Sequence, residues 1–389
     1  MRRATPRTRP EAEHPRAEDR STPWVGCLAI MPPLLDGVRV LDFGIWRPVP
    51  YATQLLAEMG ADVLKVEPPG GDPMRVFPQL FDVLNAGKRS IVVDLKDASG
   101  REEVLGLAAG ADAVMEGFRP GVADRLGIGY EAVRLVNPAI VYCSISGYGA
   151  TGPMSQIPGH DVNYQALAGV LAPRGGEPIA ASIPVGDLGA GMTAAMAVVA
   201  AVFRARIAGE GERIDVGIAD VLATWTGAIG PLVPRESPVA MNGMPGYGIY
   251  RTSDGAAISL GVLAEDHFWT ALCRALELRD MEDIGVVERV QRKAELDAIV
   301  SRTVARLSEK QAMARLQRYD VPVAPVLSRQ QMLEHEHFRR RGTVITDQDD
   351  SAIGVPAMGH PARYEVHAAR LPGTAPELDA QAKGAWMAP

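Results

Sequence analysis

Three consecutive pieces decide the fold: Val38-Arg-Val-Leu-Asp-Phe43, then Tyr51-Ala-Thr-Gln-Leu-Leu-Ala-Glu-Met59, then Ala61-Asp-Val-Leu-Lys-Val-Glu67. The first and third are short apolar runs rich in valine and leucine, as in strands buried on both faces. The middle piece sets small and apolar residues at helical spacing. Strand, helix and strand in that order form a βαβ unit, which implies parallel pairing. Working outward, strands are expected at Ser90 to Asp94, Ala113 to Glu116 and Ile140 to Ile145, with a helix from about Ser99 to Ala109. Such alternation predicts an α/β domain with a mostly parallel sheet, whose ligands gather beyond the carboxyl ends of the strands.

A long Ala- and Val-rich helix is expected from about Gly189 to Arg206, apolar nearly all round and therefore buried. Beyond Asp215 the text changes, and Gly227 to Gly248 is rich in Gly and Pro, as in a linker or crossing segment. A hairpin follows, Gly248 to Thr252 and Ala256 to Gly261 joined by Ser253-Asp254-Gly255, then helices at 265–277 and roughly 289–319. The boundaries read as a large domain over 31–224, a smaller α+β domain over 225–330, and a segment 331–389 that returns to the first domain. Residues 1–30 mix arginines with Glu11, Glu13, Glu18 and Asp19 and lack periodicity, so they read as a disordered extension, with Met31 opening the folded part.

Composition narrows the function classes. A net charge of −7 over 389 residues argues against a nucleic-acid binder, while leaving room for a local basic groove that holds a small polyanion. The apolar run Met192 to Phe203 is too short to span a bilayer, so no membrane association is expected. Three cysteines, Cys27, Cys143 and Cys273, show no CxxC spacing, which fits a reducing cytoplasm and gives no thiolate metal site. His335 and His337 beside arginines read as a solvated helix face, and no metal is expected.

The familiar cofactor and nucleophile signatures are missing. No GxGxxG follows a strand, and the nearest sequence, Gly186-Asp-Leu-Gly-Ala-Gly191, has the wrong order and an acid where a pyrophosphate would approach. GxxxxGK[ST], GxSxG and HExxH do not occur. Two segments remain: Gly159-His-Asp-Val-Asn-Tyr164, and Pro184-Val-Gly-Asp187 leading into the apolar helix. Asp187 has two readings. It is an N-cap whose carboxylate accepts amide protons at the positive helix end, or that helix end holds a reacting oxyanion while the carboxylate moves a proton. His160 is likewise either a surface loop histidine or an acid/base group.

At this point several motifs, in order, resemble one family. They are Leu35-Asp-Gly-Val-Arg-Val-Leu-Asp42, Gly60-Ala-Asp-Val-Leu-Lys-Val-Glu67, Asn85-Ala-Gly-Lys-Arg-Ser90, Phe118-Arg-Pro-Gly-Val-Ala-Asp-Arg-Leu-Gly127, Ser146-Gly-Tyr-Gly149 and Val321-Pro-Val-Ala-Pro-Val326. Together they resemble the α-methylacyl-CoA racemase and family III CoA-transferase (CaiB/BaiF) superfamily, over nearly everything from Met31 onward. The resemblance implies a Rossmann-like large domain, a smaller domain, and an interlocked homodimer with CoA near the interface. It also implies that Asp187 is the nucleophile of the transferases or one of two proton-transfer bases of the racemases. The racemases add a histidine in GHDxNY, and His160 sits in that motif unchanged.

The racemase branch is therefore expected: inversion of the α-carbon of a 2-methyl (2-substituted) acyl-CoA by 1,1-proton transfer through an enolate, with CoA bound as part of the substrate and no separate cofactor. The alternatives are a CoA-transferase working through an Asp187 acyl-enzyme and a non-catalytic acyl-CoA-binding relative. Glu265 corresponds, with a one-residue shift, to an acidic residue near the racemase site; an exposed helix-start glutamate is the other reading. By position, Lys88, Val93, Lys96, Gly117, Phe118, Arg125, Tyr148, Asp161 and Tyr164 match the family's CoA-binding positions, and Arg75 is a phosphate partner by charge. Solvated surface charge is the other reading for the cations. Pro68 and Pro69 stand where the family often carries an arginine after its Lys-Val-Glu strand.

Overall fold

The computed structural model describes residues 31–171, 179–228, 244–345 and 357–380. The extension over 1–30, with Cys27, and the greater part of the Gly227 to Gly248 stretch lie outside these.

The first element group runs β1 (Arg39–Phe43), α1 (Pro48–Glu58), β2 (Asp62–Glu67), α2 (Pro78–Asn85), β3 (Arg89–Val92), α3 (Ala98–Ala108), β4 (Ala113–Glu116), α4 (Val122–Arg125), α5 (Tyr130–Val136), β5 (Val141–Ser146), α6 (Asp161–Leu167), α7 (Val185–Ala208), β6 (Glu212–Gly217) and α8 (Ile218–Ala228). The six strands form one parallel sheet in the order β3-β2-β1-β4-β5-β6. This is a doubly wound order with its reversal between β1 and β4, where the outgoing loops diverge and open a crevice. Val40, Ala113 and Met115 face one apolar layer with α1, α7 and α8, whereas Leu41, Phe43 and Val114 face the other with α3 and α5. That is the period-2 alternation of strands covered on both faces.

Three expectations are corrected here. The long helix begins at Val185, so Asp187 lies inside its first turn and Pro184 occupies the N-cap position; Asp187 is not the cap. Its 24 residues are long and apolar enough to cross a bilayer by length and composition, which the shorter run read from the sequence was not. Nor is the helix buried all round: Met192, Met196, Phe203 and Ile207 are 53–70% exposed along one stripe. Small residues, among them Gly186, Gly189, Ala190, Gly191 and Ala194, together with Val198, form the buried side.

The second group is β7 (Tyr247–Arg251), β8 (Ala257–Gly261), α9 (Asp266–Ala275), α10 (Val286–Gln291), α11 (Lys293–Val304), α12 (Glu309–Arg318), β9 (Val323–Pro325), α13 (Arg329–Glu334), α14 (Glu336–Arg340), β10 (Val344–Ile345) and β11 (Ala357–Met358). The expected hairpin pairs Tyr250 with Ile258, and Gly255 takes φ +81° in its turn. Strand β9 adds to β8, and Trp269, Leu272, Leu296, Val300 and Leu316 fill a separate apolar cluster. The single helix expected over 289–319 is three helices. A new N-terminus forms at Ser308, whose side chain accepts the Gln311 N–H while Gln311 returns the bond.

Residues near the C-terminus run back along the large sheet. Arg370 donates its amide to the Glu58 carbonyl, Thr374 accepts from Gly87, and the Asp379 carboxylate accepts from the Val92 amide.

Candidate functional site

The crevice begins at Gly44, just beyond β1. A Cβ there would come within 2.5 Å of Val49 and 2.7 Å of Pro50, so only glycine lets α1 start this close to the strand. The Gly44 peptide is held from both sides: its N–H donates to Asp42 Oδ1 at 2.7 Å, and its carbonyl accepts from Lys65 Nζ at 2.6 Å. These anchors belong to a buried charge network in which Lys65 pairs with Asp72 at 2.8 Å and Lys88 pairs with Asp42 at 3.0 Å. Burial opposes ionisation of Asp42, but Lys88 and Lys65 outweigh it and hold the carboxyl below its ordinary range. Burial likewise pulls Lys88 down to about 8, with Asp42 opposing.

Beyond Gly44, Trp46 adopts φ +62°, a left-handed conformation disfavoured for a bulky residue, and Arg47 then leads into α1 with Pro48 in its first turn. Arg47 Nε lies 4.0 Å from Asp187 Oδ2. The two side chains are 28% and 18% exposed. Burial pushes the Asp187 carboxyl up to about 6; Asp161 adds to the rise and Arg47 opposes it.

Asp161 joins the two motif segments. Its Oδ1 accepts the backbone N–H of Asp187 at 3.0 Å, and its Oδ2 accepts from Gln165. A Cβ on Gly186 would come within 2.8 Å of Asp161 Oδ1, so a glycine is needed for α6 to dock on α7 this closely. His160 is the N-cap residue of α6 and is exposed; its amide donates to Asn163 Oδ1 at 2.9 Å. Tyr164 donates its hydroxyl to the Gly159 carbonyl at 2.6 Å and stands edge-on to Tyr148, with ring centroids 5.0 Å apart. Gly147 lies against the Tyr164 ring, where a Cβ would come within 2.4 Å of the hydroxyl oxygen. The sequence motif GHDVNY is thus a short helix start fixed to the first turn of α7, with Tyr148, Asp161, Tyr164 and Asp187 in one contact group and His160 at its exposed edge.

The remaining expected residues divide. Gly117, Phe118 and Arg125 follow β4, Lys96 follows β3 and is exposed, and the Val93 side chain is buried in the core. Phe118 helps line a cavity of about 190 Å³ with Glu116, Tyr130, Ser146 and Arg213. Burial raises the Glu116 carboxyl above its ordinary value, and Ser146 Oγ is buried without a hydrogen-bond partner among the described residues.

Lys88 and Arg75 are corrected as phosphate contacts. Lys88 Nζ is fully enclosed by Asp42, the Pro50 carbonyl and Asn85, which use all three donors. Arg75 forks onto Glu67 at 2.6 and 2.7 Å, bonds the Pro376 carbonyl, and stacks 4.0 Å over Phe81. Both side chains hold the fold together. Glu265 is exposed at the N-cap of α9, and among the described residues no hydrogen bond links it to Asp187 or His160. His335 caps α14, its Nδ1 accepting from the His337 amide.

Sequence reasoning missed Arg47. Its signal was positional: a cation in the loop after the first strand of a βαβ unit, immediately before a proline that starts the helix.

Comparison with known proteins places this geometry. The sequence model of CoA-transferase family III matches residues 35–382. The chain is 30% identical over 357 residues to succinate–glutarate CoA-transferase of Agrobacterium fabrum, covering 85% of this chain and 89% of that one. It is also 30% identical over 336 residues to human alpha-methylacyl-CoA racemase, covering 83% and 85%. Among solved structures, a CaiB/BaiF family protein from Brucella suis superposes with a TM-score of 0.78 at 27% identity, over 90% of this chain and 97% of that one. By sequence over nearly its whole folded length, and by fold, the chain belongs to CoA-transferase family III, the superfamily that also contains the racemase.

Proposed function

We propose that the protein is a racemase or epimerase of 2-substituted acyl-CoA thioesters, with Asp187 and His160 as the two acid/base groups. The observation that carries this reading is the Asp161 bridge, which fastens the helix start bearing His160 to the helix turn bearing Asp187. Inverting a carbon α to a thioester requires a proton to leave one face and another to arrive at the opposite face, so two groups must flank it. With a pKa of about 6, about a tenth of Asp187 is protonated at pH 7, and both forms are available to a group that takes a proton in one direction and gives it back in the other. His160, exposed at the edge of the same group, is the partner base. Amides at the start of α7 do not all remain for an enolate, since Asp187 N–H is used by Asp161 and Leu188 N–H by Pro184.

CoA is placed at Lys96, Gly117, Phe118, Arg125 and Tyr148, beyond the carboxyl ends of the strands, and no cofactor is required apart from the CoA on the substrate. The working unit is a homodimer in a reducing cytoplasm; the exposed stripe Met192, Met196, Phe203 and Ile207 on α7 supports the former, and the free, buried Cys143 and Cys273 fit the latter. A second reading, transfer of CoA between acids through an Asp187 acyl-enzyme, is favoured by the names of several relatives, among them succinyl-CoA–D-citramalate CoA-transferase of Chloroflexus aurantiacus, 32% identical over 338 residues.

Incubating single enantiomers of 2-substituted acyl-CoAs in deuterium oxide separates the two. The racemase gives α-deuteration with inversion, and His160→Ala and Asp187→Asn each reduce it by at least about 100-fold. Transfer of CoA to a free acid without α-exchange, unaffected by His160→Ala, would replace the racemase with the transferase.

A further inference from the structure

We propose that Arg47 binds a carboxylate carried on the acyl chain, so that the substrate is a monothioester of a short dicarboxylic acid. This rests on the reading of Asp187 as the group that acts at the α-carbon.

Arg47 is a partly buried guanidinium with its hydrogen-bonding capacity unspent. It carries five N–H donors. Among the described residues its side chain makes no hydrogen bond, and its one ionic neighbour is Asp187 at 4.0 Å, outside hydrogen-bond reach. Two half-buried or ion-paired arginines of the large domain show the contrast: Arg75 forks onto Glu67, and Arg206 bonds Asp112 and the Gly37 carbonyl. Nor is Asp187 a closed partner for Arg47, because its carboxyl stays raised despite the cation beside it.

The arginine is also held in place from behind. The Gly44 peptide is clamped by Asp42 and Lys65, Trp46 is fixed in a left-handed turn, and Pro48 sets the start of α1, so the intervening residue has little backbone freedom. A partly buried guanidinium on a restrained backbone, with donors free among the described residues, is suited to bidentate recognition of an oxyanion. Which oxyanion follows from position. The phosphates of CoA are separated from the thioester by the whole pantetheine arm, whereas Arg47 stands against the residue that acts on the α-carbon. An anion reaching it must belong to the acyl group, within a few bonds of the reacting carbon. A carboxylate is the ordinary anion there.

The test uses binding alone, so it does not depend on which reaction Asp187 performs. Titration calorimetry compares two unreactive thioether analogues of equal length, S-(3-carboxypropyl)-CoA and S-butyl-CoA. Wild-type protein is expected to bind the carboxylate analogue at least about 10-fold tighter, Arg47→Met to erase the preference while keeping the neutral analogue within about 3-fold, and Arg47→Lys to keep part of it. Equal binding of the two analogues by wild-type protein overturns the proposal without any variant. Loss of affinity for both analogues alike in Arg47→Met also overturns it, because Arg47 would then serve the thioester oxygen, the CoA phosphates or the loop itself. Failure of α-deuterium exchange, measured separately, would remove the racemase reading and leave these outcomes unchanged.

Discussion

Replacing Asp187 by asparagine should make the protein more stable as it makes it inactive, and the gain should depend on pH. The carboxyl is raised from 3.8 to about 6, with burial the main cause and Asp161 adding to it. A group that binds its proton more tightly folded than unfolded is harmless below pH 3.8, where both states are protonated. As pH rises through about 6 the folded state must carry a charge it disfavours, and stability falls. A tenfold change in proton affinity is worth about 1.4 kcal/mol, so the charged Asp187 opposes folding by about 3 kcal/mol at most at pH 8, before screening through its 18% exposure and through Arg47. At pH 5 the same linkage gives about half of that.

Asparagine is neutral throughout and nearly isosteric. Urea unfolding midpoints, converted with a shared m-value, should therefore show Asp187→Asn more stable than wild type, with the difference widening by roughly 1 kcal/mol between pH 5 and pH 8. A difference independent of pH, or a variant less stable than wild type at pH 8, would refute the claim that burial holds this carboxyl in a state poised for proton exchange.

Two further outcomes are expected. Lys88→Met should destabilise the protein by about 3–5 kcal/mol, measured by the same unfolding assay, because it leaves Asp42 buried without its cation; a loss below about 1 kcal/mol would mean that Lys65 alone neutralises the network. Light scattering should give a dimer at micromolar concentration, and Met196→Glu with Phe203→Glu should shift it to monomer by placing two charges on the exposed stripe of α7; a wild-type monomer would leave that stripe without a partner copy.

How much was readable depended on how strongly each piece is buried. Strands β1, β2, β4 and β5 are short runs dominated by buried apolar residues because helices cover both faces, and such runs announce themselves even with a buried charge among them. Strand β6, Glu212–Gly217, lies at the sheet edge with Glu212, Arg213 and Asp215 exposed, so its composition resembles a loop and nothing marked it. Helix α6 is seven residues long and polar along its start, too short for a period to show. Asp187 was recognised, but its place in the helix was not: Pro184-Val185-Gly186 reads as leading up to an Asp187 cap, whereas Pro184 is the N-cap and the next two residues are already helical. Lys88 and Arg75 were misread for a different reason. A cation in a sequence carries no mark of whether a carboxylate 46 or 8 positions away will enclose it.

The glycines of Gly186-Asp187-Leu188-Gly189-Ala190-Gly191 carry the deepest difference between text and structure. As text they look like a phosphate loop in the wrong order. In the fold all three are helical, and each lies where another element comes too close for a side chain: Asp161 at Gly186, Trp225 at Gly189, and the start of α1 at Gly191, where a Cβ would come within 2.9 Å of the Pro48 carbonyl. Each glycine inside a helix costs about 1 kcal/mol relative to alanine, so three in six residues would weaken an isolated helix severely. Packing must return that cost, and two of the three elements it draws in carry residues of the proposed site: α6 brings His160 and Asp161, and α1 brings Arg47. The glycines therefore act through approach, letting two helix starts converge on the turn that holds Asp187.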